Sequence, residues 1–254
     1  MQKNLYFRSV LRRENLIKKF ILGLFGSIAS YPRMLLEVFI RKDFGERYFN
    51  LASAIYFALF TAALPLVAKG FMRYFSDDEP SSFWWHYATW YIFLVLFLLK
   101  SFQHYQAMKR SPSVFDFARY SLSSGQSHPQ FFKVQIPGIK PDRRNIEILL
   151  EPGLFFVLGI VLWLIGQKVG ILLTVCSIFY SFSYQLAYHN GDNFVMDKID
   201  EIICNEELKK SFVDDAGQDE TRGFQFIGRR PESKEMREKL MPLILEDDEA
   251  LDAK

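Results

Sequence analysis

The sequence predicts an all-α membrane protein whose four transmembrane helices form two hairpins, with amphipathic helices on the cytoplasmic face. Three observations predict it. Residues 50–68, 83–99, 152–166 and 169–188 are almost entirely apolar and contain no Asp, Glu, Lys or Arg. Each approaches the ~20 residues that cross a hydrocarbon layer roughly 30 Å thick at about 1.5 Å per residue. The basic residues alternate between connections, and aromatic residues gather at the predicted interfaces. Charged residues make up 24% of the chain and aromatic residues 17%, but the charge is segregated into the connections, which an average conceals.

Residues 1–49 hold ten Lys and Arg against four acidic residues. Within them 14–31 and 32–42 read as two amphipathic helices broken at Pro32, lying in the plane of the membrane. In the second, Met34, Leu35, Val38 and Phe39 face one way and Arg33, Glu37 and Arg41 the other. The basic lead, the apolar run 20–28 and the small Ser27 and Ala29 also resemble a cleavable signal peptide. Cleavage there would carry the basic loop 100–150 outward, against its charge. A fully spanning helix in this region would reverse the side of everything after it.

Residues 50–99 form the first predicted hairpin. Ala54, Ala58 and Ala62 recur every four residues and predict a helix-packing face on which another backbone approaches closely. Trp84, Trp85, Tyr87, Trp90 and Tyr91 open the second span as an outer interfacial belt. The connector 100–151 carries eight basic residues in 100–150, against three in 69–82 and the Gln167-Lys168 turn together. The positive-inside bias therefore places both termini and this loop in the cytoplasm. Ser113 is expected to cap a helix over 114–122, 126–141 to run extended, and Asp142 to cap a helix from Arg143 into the third span.

Residues 152–188 form the second hairpin. Thr174, Ser177, Ser181 and Gln185 make a polar stripe on the fourth helix, read as interhelical hydrogen bonding or as the lining of a possible polar pathway. No ionisable group is expected within the spans away from their edges, which argues against a pump or coupled transporter. His189-Asn190-Gly191-Asp192 reads as a turn, and the following amphipathic helix closes 189–213. Its Ile199, Ile202 and Ile203 are the expected partner-binding residues, buried against protein. The acidic tail 214–254 reads as mostly disordered, with a compact apolar and basic patch at 223–230 and a short helix near 236–245.

No zinc spacing, phosphate-binding glycine loop or nucleophile elbow occurs, so no catalytic residue, cofactor or metal ligand is assigned and no nucleic-acid partner is expected. Cys176 and Cys204 read as ordinary thiols. The expected function is a non-enzymatic membrane subunit acting as scaffold or docking component of a larger membrane or envelope assembly. Its partners are the lipid bilayer, other copies of itself, and other membrane or cytoplasmic proteins. The alternative is an oligomeric channel lined by the fourth helix. Compactness, charge bias and the lack of any Asn-x-Ser/Thr site point to a bacterial inner membrane.

Overall fold

Long uncharged apolar runs have no alternative in lipid to satisfying their backbone internally, and they do so here as helices. The computed structural model describes residues 5–11, 16–75, 83–110, 112–134, 138 and 140–245. The principal helices are α1 (Leu16–Ile40), α2 (Leu51–Phe75), α3 (Phe83–Arg110), α4 (Arg143–Asn145), α5 (Glu151–Leu164), α6 (Val169–Val213) and α7 (Lys234–Ile244). A π-helical turn at Ile146–Leu150 joins α4 to α5, so 143–164 runs as one helix. Two short strands, β1 (Lys42–Phe44) and β2 (Ser124–Gln126), pair antiparallel, with Lys42 opposite Gln126 and Phe44 opposite Ser124. The chain divides into two compact units, one of residues 21–187 and one that combines 1–20 with 188–254.

Four helices are long and apolar enough to cross a membrane: Leu16–Ile40, Leu51–Gly70, Arg143–Leu164 and Val169–Val213. They overlap three of the sequence-predicted spans and add α1. The remaining predicted span, 83–99, is helical within α3 but is not among the four. Its aromatic opening, from Trp84 and His86 to Tyr91, dilutes the apolar run. Conversely, the predicted break at Pro32 does not occur. α1 is one helix with Pro32 inside it, held through that point by the burial of Ala29 on one side and Leu35, Leu36 and Val38 on the other. Tertiary packing here overrides the local cost of an interior proline.

In the unit 21–187, α2 and α3 pack as a pair. Ala54 and Ala58 are buried and Ala62 is half-buried. The close approach lets Trp90 Nε1 donate to the Thr61 carbonyl at 3.1 Å and the Tyr91 hydroxyl donate to the Ala62 carbonyl at 3.3 Å. Trp90 is thus a buried packing residue, whereas Trp84 and Trp85 are exposed. α5 and α6 approach more closely still. A Cβ added to Gly159 would lie 2.8 Å from the Gly170 carbonyl oxygen, and one added to Gly170 would lie 2.9 Å from Trp163 Cα. Their connection turns at Gly166, whose φ of +88° suits glycine, and the Lys168 amide donates to the His86 carbonyl at 3.1 Å.

The connector 100–151 departs from expectation in two places. Ser113 accepts from the Phe115 amide at 3.2 Å, but the helix it starts is a single 3₁₀ turn, Val114–Asp116. The segment expected to be extended, 126–141, contains a 3₁₀ turn at Pro129–Lys133. Asp142 does cap as predicted, accepting from the Arg143 amide at 2.8 Å. The turn expected at 189–192 is absent too: α6 runs unbroken for 45 residues. Residues 76–82, Pro137 and 246–254 lie outside the described residues, and with them the predicted first hairpin turn and the end of the acidic tail.

The second unit has its own apolar core. Tyr6 and Phe7 pack with Cys204, Leu208, Phe212, Val213 and Met241, and Phe224 and Phe226 cover them. The Tyr6 hydroxyl accepts from the Ile227 amide at 2.6 Å and its ring stacks on Phe226 at 4.8 Å. The expected disorder of 214–254 therefore differs from the structure through Leu245, because the patch 223–230 and α7 bury apolar side chains on the end of α6. Ser233 caps α7.

Candidate functional site: a buried ionic cluster

Residues Arg33, Glu37 and Arg41 are four apart on α1 and at its end, so they share one face. The same spacing relates Glu147 to Glu151 at the start of α5, and Tyr180 to Tyr184 on α6. The three faces converge. Glu37, Arg41, Glu147 and Glu151 are each at most 3% exposed, and Tyr180 is fully buried.

Arg41 is the hub. Its Nε donates to Glu151 Oε2 at 2.9 Å, Nη1 donates to the Tyr184 hydroxyl and, at 3.3 Å, to Ser124 Oγ and the Ser124 carbonyl, and Nη2 lies 3.5 Å from Glu147 Oε1. Its guanidinium also faces the Tyr184 ring at 4.6 Å. Glu37 is held by hydroxyl donors, Tyr184 at 2.5 Å and Tyr48 at 2.6 Å, with Arg33 Nε 3.5 Å away. Burial, and then the Glu37 carboxylate, push the Tyr48 phenol well above its usual range, so it stays a donor. Arg33 Nη1 reaches Ser183 at 2.8 Å. Tyr180 donates to Glu151 Oε2, and Arg143 Nε donates to Glu147 at 3.1 Å.

Pairing is what makes this arrangement tolerable, because an isolated charge in a low-dielectric interior costs several kcal/mol. Three carboxylates meet three guanidiniums, Arg33 with Glu37, Arg41 with Glu151 and Arg143 with Glu147. Among the cluster's fully buried side-chain atoms, Arg33 Nε and Glu151 Oε1 lack a hydrogen-bond partner. Chemically the arrangement joins α1, α5, α6 and β2 by groups that satisfy one another. Among the described residues no group of three or more His, Cys, Asp or Glu is placed to hold a metal.

The cluster overturns one expectation: Arg33, Glu37 and Arg41 do not form a water-facing side of an in-plane helix, while Glu147 and Glu151 lie just before the predicted third span. The available signal was the fourfold spacing of charge on otherwise apolar segments, which reads equally as an exposed edge until the partner helices are known.

The predicted site residues fall elsewhere. Thr174 and Ser177 do not bridge helices: Thr174 donates to the Gly170 carbonyl and Ser177 to the Thr174 carbonyl, both at 2.9 Å within α6. Ser181 is half-buried and Gln185 exposed, so the four do not form one lined channel within a single chain. Ile199 and Ile202 are 44% and 41% exposed and Ile203 is half-buried. The burial expected of them is absent from this chain, while Cys204, Leu208 and Phe212 of the same helix provide the core. Cys176 and Cys204 are both buried and are not joined in a disulfide. No family model, curated protein or solved structure matches the chain.

Proposed function

We propose that this chain is a non-enzymatic integral membrane subunit of a larger membrane or envelope assembly, docked through the part of α6 beyond the membrane. The observation that carries the reading is the face of Val195, Ile199 and Ile202, 55%, 44% and 41% exposed, with Phe194 and Met196 exposed on either side of it, on a helix whose next turns are packed. Leaving such side chains in water forgoes about 1.5–3 kcal/mol each, so a second copy or another protein is expected to cover them. The ionic cluster agrees with this role, since its pairs join α1, α5 and α6.

The proposed topology has both termini in the cytoplasm of a bacterial cell and α1 lying across the bundle. Residues 5–11 and 188–245 share one core, so they share one side, and the number of crossings between them is even. α1, α2, α3, α5 and α6 number five. The helix that does not cross is α1 in this reading, because contacts spread along its length all meet one short stretch of α6: Phe25 stacks on Phe179, Gly26 faces Leu186, and Arg33 and Arg41 reach Ser183 and Tyr184. Its exposed Leu16, Ile17, Phe20, Ile21 and Leu24, flanked by Lys18 and Lys19, suit an interfacial helix.

Photo-crosslinking from Ile199 in native membranes, read by mass spectrometry, tests the assembly. The expected result is an adduct to a single species, this chain or a partner, with none from buried Leu208. A monomeric protein that yields no adduct and enriches nothing on affinity purification overturns the reading. The channel reading keeps one supporting observation, ionisable groups buried between helices. It requires flux through reconstituted protein that the double substitution Ser177→Leu, Ser181→Leu abolishes while assembly persists.

A further inference from the structure

The connector between α3 and α4 exposes aromatic rings that the packing of this chain leaves unexplained. Phe115 is 85% exposed, Phe117 96% and Tyr120 70%. They are close together in sequence, unlike the singly scattered apolar side chains that any folded surface carries. Phe117 also holds a left-handed backbone, with φ of +55°, a conformation costly for a residue that bears a side chain. Such strain gathers where function requires it, and a ring this uncovered offsets none of it by packing within the chain.

The backbone around the rings is fixed, and fixed beside the start of α2. Ser113 Oγ accepts from the Phe115 amide at 3.2 Å and the Ser113 carbonyl from the Asp116 amide at 3.1 Å, closing the 3₁₀ turn Val114–Asp116. Next, Arg119 donates to the Met108 carbonyl at 3.2 Å and lies 3.8 Å from Glu46. The Ser121 and Ser123 carbonyls then accept from the Arg47 and Gly45 amides, both at 2.9 Å, beside the β1 and β2 pair. The stretch apolar and long enough to cross a membrane opens at Leu51, four residues after Arg47, at most about 14 Å of extended chain. On the other side, the His104 ring meets Phe49, and α3 ends at Arg110, about 9 Å further along its axis. The chain therefore leaves α3 a short way past the opening of α2 and returns to it by Ser121. The three rings lie on this returning segment, within reach of a headgroup layer roughly 5–7 Å deep.

We propose that Phe115, Phe117 and Tyr120 insert into the headgroup region of the membrane at the end where α2 begins, anchoring the connector to the lipid surface. Phe rings gain by leaving water, and a Tyr at this depth keeps its hydroxyl hydrated. Lipid is the occupant that the position favours over a cytoplasmic protein, because the segment is tied on both sides to the chain that enters the membrane. The inference rests on the membrane reading alone and is independent of what covers α6.

A nitroxide on Ala118→Cys tests it, in the full chain lacking Cys176 and Cys204 and reconstituted in vesicles of phosphatidylcholine and phosphatidylglycerol. Ala118 is exposed beside Phe117. The label is expected to collide readily with oxygen, which concentrates in lipid, and rarely with a water-soluble nickel chelate. Phe115→Ser with Phe117→Gly should reverse that order. Both replaced side chains are exposed and glycine suits the backbone at 117, so this variant should unfold at the wild-type midpoint or above and still float with the vesicles. Ready access of the chelate in the otherwise unaltered chain, or a label depth that the double variant leaves unchanged, overturns the proposal while the membrane reading stands. A chain that does not float with vesicles overturns both. In native membranes, benzoylphenylalanine in place of Phe117 is expected to yield a phospholipid adduct on irradiation, whereas an adduct to a protein, or none, overturns the insertion.

Discussion

At the scale of single residues, Arg41 and the two close-contact glycines have the sharpest consequences. Arg41 neutralises and hydrogen-bonds groups from three segments at once, Glu151, Tyr184 and Ser124. Arg41→Met would leave buried carboxylates without their cation, a loss of about 3–5 kcal/mol by analogy with broken buried pairs. Thermal unfolding in detergent should show a large drop in midpoint, and Arg41→Lys should recover little of it, because one ammonium cannot span the same partners. A midpoint close to wild type for Arg41→Met would show that the cluster does not hold the helices. Gly170→Ala is expected to destabilise by a mechanism unrelated to charge: its Cβ would meet the backbone at Trp163, which cannot swing aside as a flexible side chain would. Gly191→Ala on the same helix, with nothing within 4 Å, should be neutral or slightly stabilising by helix propensity, and the pair measured together separates contact from propensity. The glycine pair was not legible in the sequence, because Gly159 and Gly170 lie on different helices and only their juxtaposition gives them meaning.

At the scale of elements, α6 has three neighbourhoods: an apolar stretch in unit 21–187, an exposed stripe, and a packed end. Ile202→Asp falls on the stripe and should leave the monomer folded while weakening assembly, seen as a shift to smaller species on gel filtration. Leu208→Asp puts a charge where the side chain is fully buried and should unfold the second unit itself. Equal behaviour of the two variants would erase the distinction between stripe and core. The tail is fastened to the end of α6 by ion pairs: Asp215 with Arg237 and Arg230, and Asp214 with Lys234 at 2.8 Å, while Arg237 also donates to the Val213 carbonyl at 3.1 Å. Hydrogen bonds from Arg237 and then Arg230 hold the Asp215 carboxyl below its usual range, and Lys234 does the same for Asp214. A carboxyl depressed in the folded state stabilises above its unfolded value of about 3.9 and ceases to do so as pH falls through the folded value. The tail should therefore become protease-sensitive near and below pH 4, and Asp215→Asn should show that sensitivity already at neutral pH. Tail cleavage independent of pH and unaffected by Asp215→Asn would refute the fastening. The charge-rich composition of 214–245 concealed this packing, since its apolar residues, Phe224, Phe226 and Met241, are too dispersed to show a period.

At the scale of the whole molecule, crossing number and side are the quantities to measure. Single cysteines placed at Lys19, Trp84 and Gln218, in a background lacking Cys176 and Cys204, should divide between membrane-impermeant labelling from inside and outside. Lys19 and Gln218 are expected on one side and Trp84 on the other; Lys19 and Gln218 on opposite sides would mean that an odd number of helices crosses.

Long uncharged runs determined by themselves that the chain is helical and carries helices able to cross a membrane, because lipid permits few other ways to satisfy an apolar backbone. Sequence also located the Asp142 cap, which depends on the next residue's amide alone. Only the tertiary structure decided that α1 continues through Pro32, that α6 continues through 189–192, and that Arg41, Glu37, Glu147 and Glu151 meet in a sealed cluster. Those outcomes depend on residues more than a hundred positions apart, where helix-scale periodicity carries no information about which faces pair, and where a charge beside an apolar run reads the same at a wet edge as in a dry, paired core.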